Sequence, residues 1–269
     1  LVRVEAVLDT PSGYRNPGVF DYQEYLAIRD IHVTGDAGYW DFVRVLARPD
    51  PWNILARLHR LRAHLLNWIA ASAHPPSLDF WKWTGLRTDH VPGFSQALIL
   101  GDRTMLDERT RDDFQETGLY HILAISGFHI AVIAGLIRAS LGALFRKPRL
   151  IASIVIVTLA GYSVLAGMSP SVVRASVMVM LACWAILLDR PVRSWNIIGA
   201  SALAILLWNP RMVHDIGFQL TYLATGSILL FSRRFSAWLG FIPRRFIREA
   251  IAMSLAAQFG TSLVSAYHF

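Results

Sequence analysis

Six apolar segments follow one another from residue 119 onward. The segments are 119–137, 150–167, 172–188, 195–207, 216–231 and 247–267. A helix of about 20 apolar residues crosses the hydrocarbon core of a bilayer. Because 54% of the residues are hydrophobic and the mean hydropathy is +0.40, the composition lies outside that of soluble proteins. The sequence therefore predicts a membrane protein with several spans, of which the short fourth one is tilted or re-entrant.

The links between these segments differ in charge. Basic residues concentrate in the links after the first, third and fifth segments, namely Arg138, Arg146, Lys147, Arg149, Arg190, Arg193, Arg233, Arg234, Arg244, Arg245 and Arg248. The other links contribute only Arg211. Since cytoplasmic loops of membrane proteins carry an excess of Lys and Arg, we predict that the basic links are cytoplasmic and that residues 1–117 lie outside. Topology thus explains most of the net charge of +7, which is not by itself evidence for a nucleic-acid partner.

Residues 1–48 show a shorter, β-like pattern. Apolar and polar residues alternate over 2–7, turn signals follow at 11–13 and 16–18, and residues 31–34 favour another strand. These strands are too few to close a core by themselves. We therefore predict part of a small β domain that is truncated at its N-terminus.

Residues 49–117 favour a helical linker. Apolar residues recur at helical spacing, with basic residues between them: Leu55, Leu58, Leu61, Leu65 and Ile69, against Arg57, Arg60, Arg62 and His64. Such a basic amphipathic helix often lies in the membrane interface, although a soluble helix packed on the β domain has the same pattern. The predicted fold is a multi-pass, all-α transmembrane helical bundle over residues 118–269, preceded by the β segment and this amphipathic interfacial helix.

The first apolar segment contains polar residues at membrane depth. In the run from Gly118 to Gly135, GLYHILAISGFHIAVIAG, two histidines and a serine interrupt an apolar helix. Ser126 and His129 share a helix face, and His121 lies on a different flank. Polar groups in a membrane mark functional sites by default, here a polar path or a catalytic pair. The structural alternative is a serine bonded to the carbonyl of residue 122 and a histidine satisfied by a neighbouring helix.

Three further polar residues carry open alternatives. Arg174 either extends to the outer interface or faces the bundle interior, where it would contact an anion near a broken helix start. Gln219 either forms an interhelical hydrogen bond or lines a pore. Asp102 with Arg103 either caps a helix end or forms a gate at a pore mouth.

Common motifs for metal or nucleotide chemistry do not occur in the sequence. There is no His-x-His-x-Asp cluster, no His-Glu-x-x-His and no Walker-type glycine loop, and Cys183 is the single cysteine. We therefore expect no metal, no cofactor and no disulfide within the chain. Energy-driven transport would need a motor elsewhere.

Four sequence blocks together resemble one family. They are NPGVFDY at 16–22 followed by Tyr25 and Leu26, ALILGDR at 97–103, TGLYHILAISGFH at 117–129, and SPSVVRA at 169–175 with FQL at 218–220. In sequence, order and spacing they resemble the ComEC-type competence proteins. The resemblance spans nearly the whole chain, and the third block is its most specific part.

The resemblance implies an inner-membrane channel for single-stranded DNA during natural transformation. Residues 1–48 would then be the tail of an OB-like extracytoplasmic domain, with Phe20, Tyr22 and Tyr25 available to stack on bases or to form its apolar seam. The residues that would line the DNA path are Ser126, Gly127, His129, His121, Arg174, Gln219 and Asp102. Implied partners are single-stranded DNA, the lipid bilayer, a DNA receptor and a cytoplasmic motor, with a homo-oligomer as a further option. Full-length relatives carry more membrane helices and often a metallo-β-lactamase-like domain, so we expect no nuclease activity in this chain.

Two other functions compete with the channel. An intramembrane serine hydrolase would use Ser126 as nucleophile. His129, on the same helix, is expected to be poorly placed as its base, so His214 or His268 would have to approach to about 2.6–3.2 Å. A membrane scaffold would use the polar residues only to set helix packing.

Overall fold

The computed structural model describes residues 2–4, 6–11, 22–27, 31–36, 43–45, 52–72, 91–106, 108–117 and 126–268. The chain divides into two compact units, residues 49–192 and residues 1–48 with 193–269. Each unit is described by itself.

Short strands pair in the N-terminal segment, as the sequence predicts. β1 (Val2–Val4) pairs antiparallel with β4 (Val43–Val45), and β2 (Val7–Asp9) with β3 (Thr34–Asp36). A short helix, α1 (Tyr22–Ala27), lies between β2 and β3 in the sequence. The described strands form two separate two-stranded sheets, so the OB-like form of this segment stays a prediction.

The strand predicted at residues 31–34 begins later than expected. Its paired residues are Thr34–Asp36, and Ile31 and Val33 are exposed. The amide of Ile31 donates to the carbonyl of Leu26 at 3.0 Å, at the end of α1. That amide is therefore used by the helix end and cannot join a strand ladder.

The predicted amphipathic helix forms as α2 (Ile54–Ser72). Asn53 caps it, since its side-chain oxygen accepts from the amide of Ala56 at 3.2 Å. α2 buries Ala56 and Ile69 and packs against α3 (Val91–Leu100) and α6 (Pro148–Leu165). Leu61 and Trp68 remain exposed on its other side, so its place in the membrane interface stays a prediction. α4 (Glu108–Glu116) follows α3.

Three long helices form the core of the same unit. α5 (Gly127–Leu144), α6 and α7 (Pro170–Leu187) pack pairwise, and their contacts bury Ile130, Leu159 and Val172. α6 and α7 each begin with proline, whose missing amide hydrogen and fixed φ suit the first helical position. The predicted first span is not one continuous helix, because α5 begins at Gly127 and the backbone of Ser126 is extended. Residues 118–125, with His121, lie outside the described residues.

The C-terminal helices belong to the other unit. They are α8 (Ser194–Trp208), a 3₁₀ turn (Pro210–His214), α9 (Ile216–Trp238) and α10 (Arg245–His268). α9 and α10 pack closely because small residues lie at their contact: Ala252 and Ala256 are buried, and a Cβ at Gly260 would collide with the side chain of Ser227. α9 continues past its predicted end at Phe231 to Trp238.

Helix bounds agree with the predicted second, third, fourth and sixth spans to within two residues. Among the described residues, four helices are long and apolar enough to cross a membrane, namely α5, α6, α7 and α10. α8 is a shorter apolar helix of 15 residues. Length and composition therefore support three membrane spans in residues 49–192 and one, α10, in the other unit, whereas α9, the predicted fifth span, is not among these helices.

Candidate functional site

The starts of α5 and α7 come together at one end of the three-helix core. Short hairpin turns join α5 to α6 and α6 to α7, so α5 and α7 run in the same direction and both begin beside the end of α6. At Gly127 a Cβ would lie 3.4 Å from the Cβ of Ala175, on the second turn of α7. The described end of the third block, residues 126–129, therefore meets residues 169–175 in space. Two helix N-termini at one place favour negative charge.

Ser126 and His129 form a local cap at the start of α5. Ser126 is the N-cap residue, with extended backbone angles φ −97° and ψ 167°. Its amide donates to Nδ1 of His129 at 3.2 Å, and its hydroxyl oxygen lies 3.1 Å from the same nitrogen. Since Nδ1 accepts from the amide, the neutral ring carries its hydrogen on Nε2. Ser126 therefore lies at the helix boundary, which corrects the expectation of a serine inside the helix.

The distance between Ser126 and His129 also bears on the hydrolase alternative. The expectation that His129 is poorly placed is wrong on distance, because an extended N-cap lets the side chain three residues later return to it. The same Nδ1 accepts a hydrogen bond from the backbone amide of Ser126, as a side chain that caps a helix does. His214 and His268 belong to the other unit.

Arg174 faces the interior of the bundle. The residue is only 8% exposed, so the alternative in which its side chain extends to the outer interface is wrong. The packing of the helices buries Arg174, because the face of α7 that carries it lies towards α5 and α6. A buried guanidinium needs polar partners or an anion. Its neighbours on the first turns of α7 include the N-cap Ser169, whose buried hydroxyl oxygen has no hydrogen-bond partner among the described residues.

A second polar pair lies one layer deeper between α6 and α7. The hydroxyl oxygens of Ser163 and Ser176 are 3.0 Å apart, and both residues are buried. Ser163 donates to the carbonyl of Leu159 at 2.7 Å. The interface of these two helices is therefore polar near the end that carries Arg174.

Asp102 pairs with Arg62 at the same end of the core. Its Oδ2 lies 3.1 Å from Nη2 of Arg62, and its Oδ1 accepts from the amide of Thr104 at 3.1 Å and from the Thr104 hydroxyl. Burial alone would raise the pKa of Asp102. The hydrogen bonds from Thr104 and the charge of Arg62 outweigh burial and lower that pKa below its ordinary value. Asp102 is therefore held as a carboxylate, and it ends α3 while also joining it to α2.

Arg62 connects this pair to the turn between α6 and α7. Its Nε donates to the carbonyl of Leu165 at 2.8 Å, at the end of α6. Its guanidinium lies over Gly167, which has a φ of +71° that a residue with a side chain rarely adopts. Tyr162 donates to the carbonyl of Ile99 at 2.8 Å, so α3 is attached to the same end of α6.

Gln96 makes a further connection that sequence reasoning missed. The residue is 4% exposed, and its Nε2 donates to the carbonyl of Leu66 at 2.8 Å, which joins α3 to α2. Arg62 was also missed as a site residue, because it was counted only among the basic residues of the amphipathic helix. An arginine at helical spacing carries no signal of its long-range partner, whereas a glutamine inside the apolar stretch FSQALIL is such a signal.

Other predicted site residues are not brought to this end by the described contacts. Gln219 lies on α9 in the other unit, where its Nε2 donates to the carbonyl of Val213 at 2.9 Å in the preceding turn, in place of an interhelical bond. Tyr22 is exposed on α1. Phe20, His121 and the side chain of Tyr25 lie outside the described residues. The described residues include no group of three or more His, Cys, Asp or Glu side chains that could hold a metal ion.

Comparison with known proteins identifies the family. Residues 98–269, more than half of the chain, match the family described as Competence protein. The chain belongs to the competence protein family. The matched residues include Asp102 and the starts of α5 and α7, so the resemblance inferred from the sequence blocks is confirmed. With its apolar helices, this family member is a multi-pass membrane protein.

Two curated proteins are similar to this competence family member. It is 30% identical over 267 residues to ComE operon protein 3 of Bacillus subtilis (strain 168), an alignment that covers 97% of this chain and 31% of that protein. It is 31% identical over 150 residues to the uncharacterized protein YcaI of Escherichia coli (strain K12), covering 52% of this chain and 19% of that protein. The chain thus spans less than a third of either relative. No solved structure gives a significant match.

Proposed function

We propose that this chain forms part of a channel that carries single-stranded DNA across the inner membrane during natural transformation. Family membership supports a role in competence, and the ComE operon protein 3 similarity extends over nearly the whole chain. The observation that carries the proposal is the buried Arg174 beside the joined starts of α5 and α7.

The chemistry of this end suits a phosphodiester. Each passing phosphate carries one negative charge, and an arginine can hold it with paired hydrogen bonds. The N-terminal amides of α5 and α7 add partial positive charge, and Ser169 offers a buried hydroxyl. Such contacts are independent of base sequence, so binding should weaken strongly as salt rises.

Arg62 and Asp102 would shape the entrance to this path. Their ion pair holds α2 and the loop after α3 over the turn that precedes α7. Asp102 also neutralises Arg62, and Arg174 is a buried cation next to the helix starts. By the distribution of basic links this end faces outwards, where incoming DNA and a surface receptor would meet it, while a motor would act on the cytoplasmic side.

No covalent step is required in this proposal. Ser126 and His129 would contribute polar groups at the mouth of the path and would not act as nucleophile and base. The OB-like segment would supply stacking by Tyr22, with Phe20 and Tyr25 as further candidates.

The test is DNA uptake in competent cells that carry the full-length protein with Arg174→Gln. We expect internalised labelled DNA to fall at least about tenfold, as for the loss of one charged contact. Arg174→Lys should recover part of the uptake because it keeps the charge. The control Arg190→Gln, in an exposed link, should leave uptake unchanged.

Blotting of membranes separates a transport defect from a loss of protein. Normal levels of Arg174→Gln with normal uptake would overturn the proposal. If Arg174→Gln fails to accumulate, His129→Ala at the start of α5 provides the second variant, and it should also reduce internalisation while DNA still binds at the cell surface.

A further inference from the structure

A cavity with both polar and apolar lining lies between α9 and α10, near the ends that the basic links predict to be cytoplasmic. Its volume is about 280 Å³, and it is lined by Ser232, Arg233, Ser236, Glu249, Ala252 and Met253. The lining residues belong to the last two turns of α9 and the first turns of α10. Of the two helices, α10 is long and apolar enough to cross a membrane, and the basic link beside the cavity is predicted to lie at the cytoplasmic surface.

The segment around the cavity is strongly basic. Between residues 232 and 253 there are five arginines and one glutamate, an excess of four positive charges. The glutamate, Glu249, is held by Arg245, whose Nε lies 2.7 Å from its Oε1. This ion pair neutralises the one acidic group of the cavity wall, so the remaining arginines determine its sign.

The side chain of Arg248 has a donor without an acceptor. Its Nε is buried and has no hydrogen-bond partner among the described residues. Arg248 lies four residues before Ala252, which lines the cavity, and residues at this spacing share a helix face. A buried donor without a partner is destabilising, and an anion in the cavity would remove that cost.

The surroundings suit a lipid better than a nucleic acid. Phe235 packs edge-to-face on Trp238 and on Phe259, with ring centroids 5.6 Å and 6.2 Å apart. Trp238 is 77% exposed and Phe259 is 60% exposed, so both present aromatic surface on the two helices that form the cavity. Trp at headgroup level and an apolar wall at acyl-chain level are the surroundings of a bound phospholipid. Basic pockets between membrane helices on the cytoplasmic side are a known kind of anionic-lipid site.

We propose that this cavity binds the phosphate of an anionic phospholipid of the cytoplasmic leaflet. Arg233 and Arg248 supply the positive charge, Ser232 and Ser236 supply hydroxyl donors, and the N-terminus of α10 adds its partial charge. The lipid then holds the short link between α9 and α10 at the membrane surface. This site is separate from the Arg174 region and does not depend on the DNA proposal.

The experiment measures lipid binding to the full-length protein by native mass spectrometry, with phosphatidylglycerol as the probe and phosphatidylcholine as the uncharged comparison. We expect phosphatidylglycerol to bind more tightly than phosphatidylcholine. Arg248→Gln and Arg233→Gln should each weaken its binding about fivefold. Glu249→Gln should strengthen it, because an acidic group leaves the cavity wall. The matched control Arg190→Gln, in a different basic link, should bind like the unmodified protein.

Competition distinguishes the possible sources of phosphate. Inorganic phosphate and a short single-stranded oligonucleotide are added to the lipid-bound protein, and neither should displace phosphatidylglycerol at matched concentration. Displacement by inorganic phosphate, or binding of the oligonucleotide that Arg248→Gln abolishes, would overturn the lipid assignment. Equal binding of the two lipids, or equal binding by all variants, would also overturn it. If Arg248→Gln does not fold, Glu249→Gln and the competition arms still decide the question.

Discussion

Arg62 and Asp102 form an ion pair with 3.1 Å between Nη2 and Oδ2, and through it an amphipathic helix and the end of α3 are held together over the start of α7. The side chains are 25% and 12% exposed, so water screens the pair only in part. Because Arg62 also donates to the carbonyl of Leu165, the pair connects three helices at the end of the core that carries Arg174.

Asp102→Asn should destabilise this unit by about 1–2 kcal/mol, since the buried side of Arg62 loses its counter-charge while Thr104 keeps an acceptor. Thermal unfolding in neutral detergent measures the effect. Asp112→Asn, an exposed carboxylate of α4, is the matched control and should change little. Equal unfolding of the two variants would contradict the role assigned to the pair.

The same pair predicts a dependence on pH. The pKa of Asp102 is lowered in the folded protein, so its stabilisation is complete above the unfolded value of about 3.9 and is lost as pH falls through the folded pKa. The stability difference between the unmodified protein and Asp102→Asn should therefore be constant from about pH 8 to about pH 5 and should shrink below about pH 4. A difference that already disappears near pH 6 would show that another group governs the contact.

Gly93 supports the loop that carries Asp102. A Cβ at Gly93 would collide with the backbone carbonyl of Met105. Gly93→Ala should therefore displace residues 101–106 and cost about 1–3 kcal/mol in unfolding measurements. Gly142→Ala in α5, where a Cβ meets nothing within 4 Å, should be neutral or stabilising. A Gly93→Ala variant as stable as Gly142→Ala would mean that the loop packs differently.

Ser126 should act as a helix cap. Ser126→Ala should cost about 1 kcal/mol, whereas Ser126→Asn should restore most of it because asparagine is also a favourable N-cap. A fluorophosphonate probe, which reacts with activated serines, should not label the protein. Labelling that Ser126→Ala abolishes would favour the hydrolase alternative, with His129 at 3.1 Å as its base.

Cysteine labelling tests the orientation. In a Cys183→Ala background, Arg190→Cys should react with a membrane-permeant maleimide and remain protected from an impermeant one added outside intact cells, because basic links face the cytoplasm. Thr104→Cys, in the loop after α3, should react with the impermeant maleimide as well as with the permeant one. The reverse result for both positions would place the Arg174 end inside and would remove the support for an outer DNA entrance.

Local chemistry in the sequence determined most helix positions. Pro148 and Pro170 mark the first residues of α6 and α7, and the apolar lengths between charged links locate α8 and α10 within two residues. These features depend on neighbours along the chain, so no knowledge of packing is needed. The strand at residues 31–34 was misplaced because the alternation pattern does not reveal that the amide of Ile31 bonds to Leu26.

The sequence predicted only some residues of the candidate site. Sequence blocks and polar residues in apolar runs singled out Ser126, His129, Arg174 and Asp102, and they determined that the chain is a membrane protein of the competence family. Only the tertiary structure decided that Arg174 is buried, that Gly127 lies against Ala175, and that Arg62 is the partner of Asp102. The physical reason is that burial and ion pairing depend on which faces of different helices pack together. The sequence of one helix does not specify which face of another helix will pack against it.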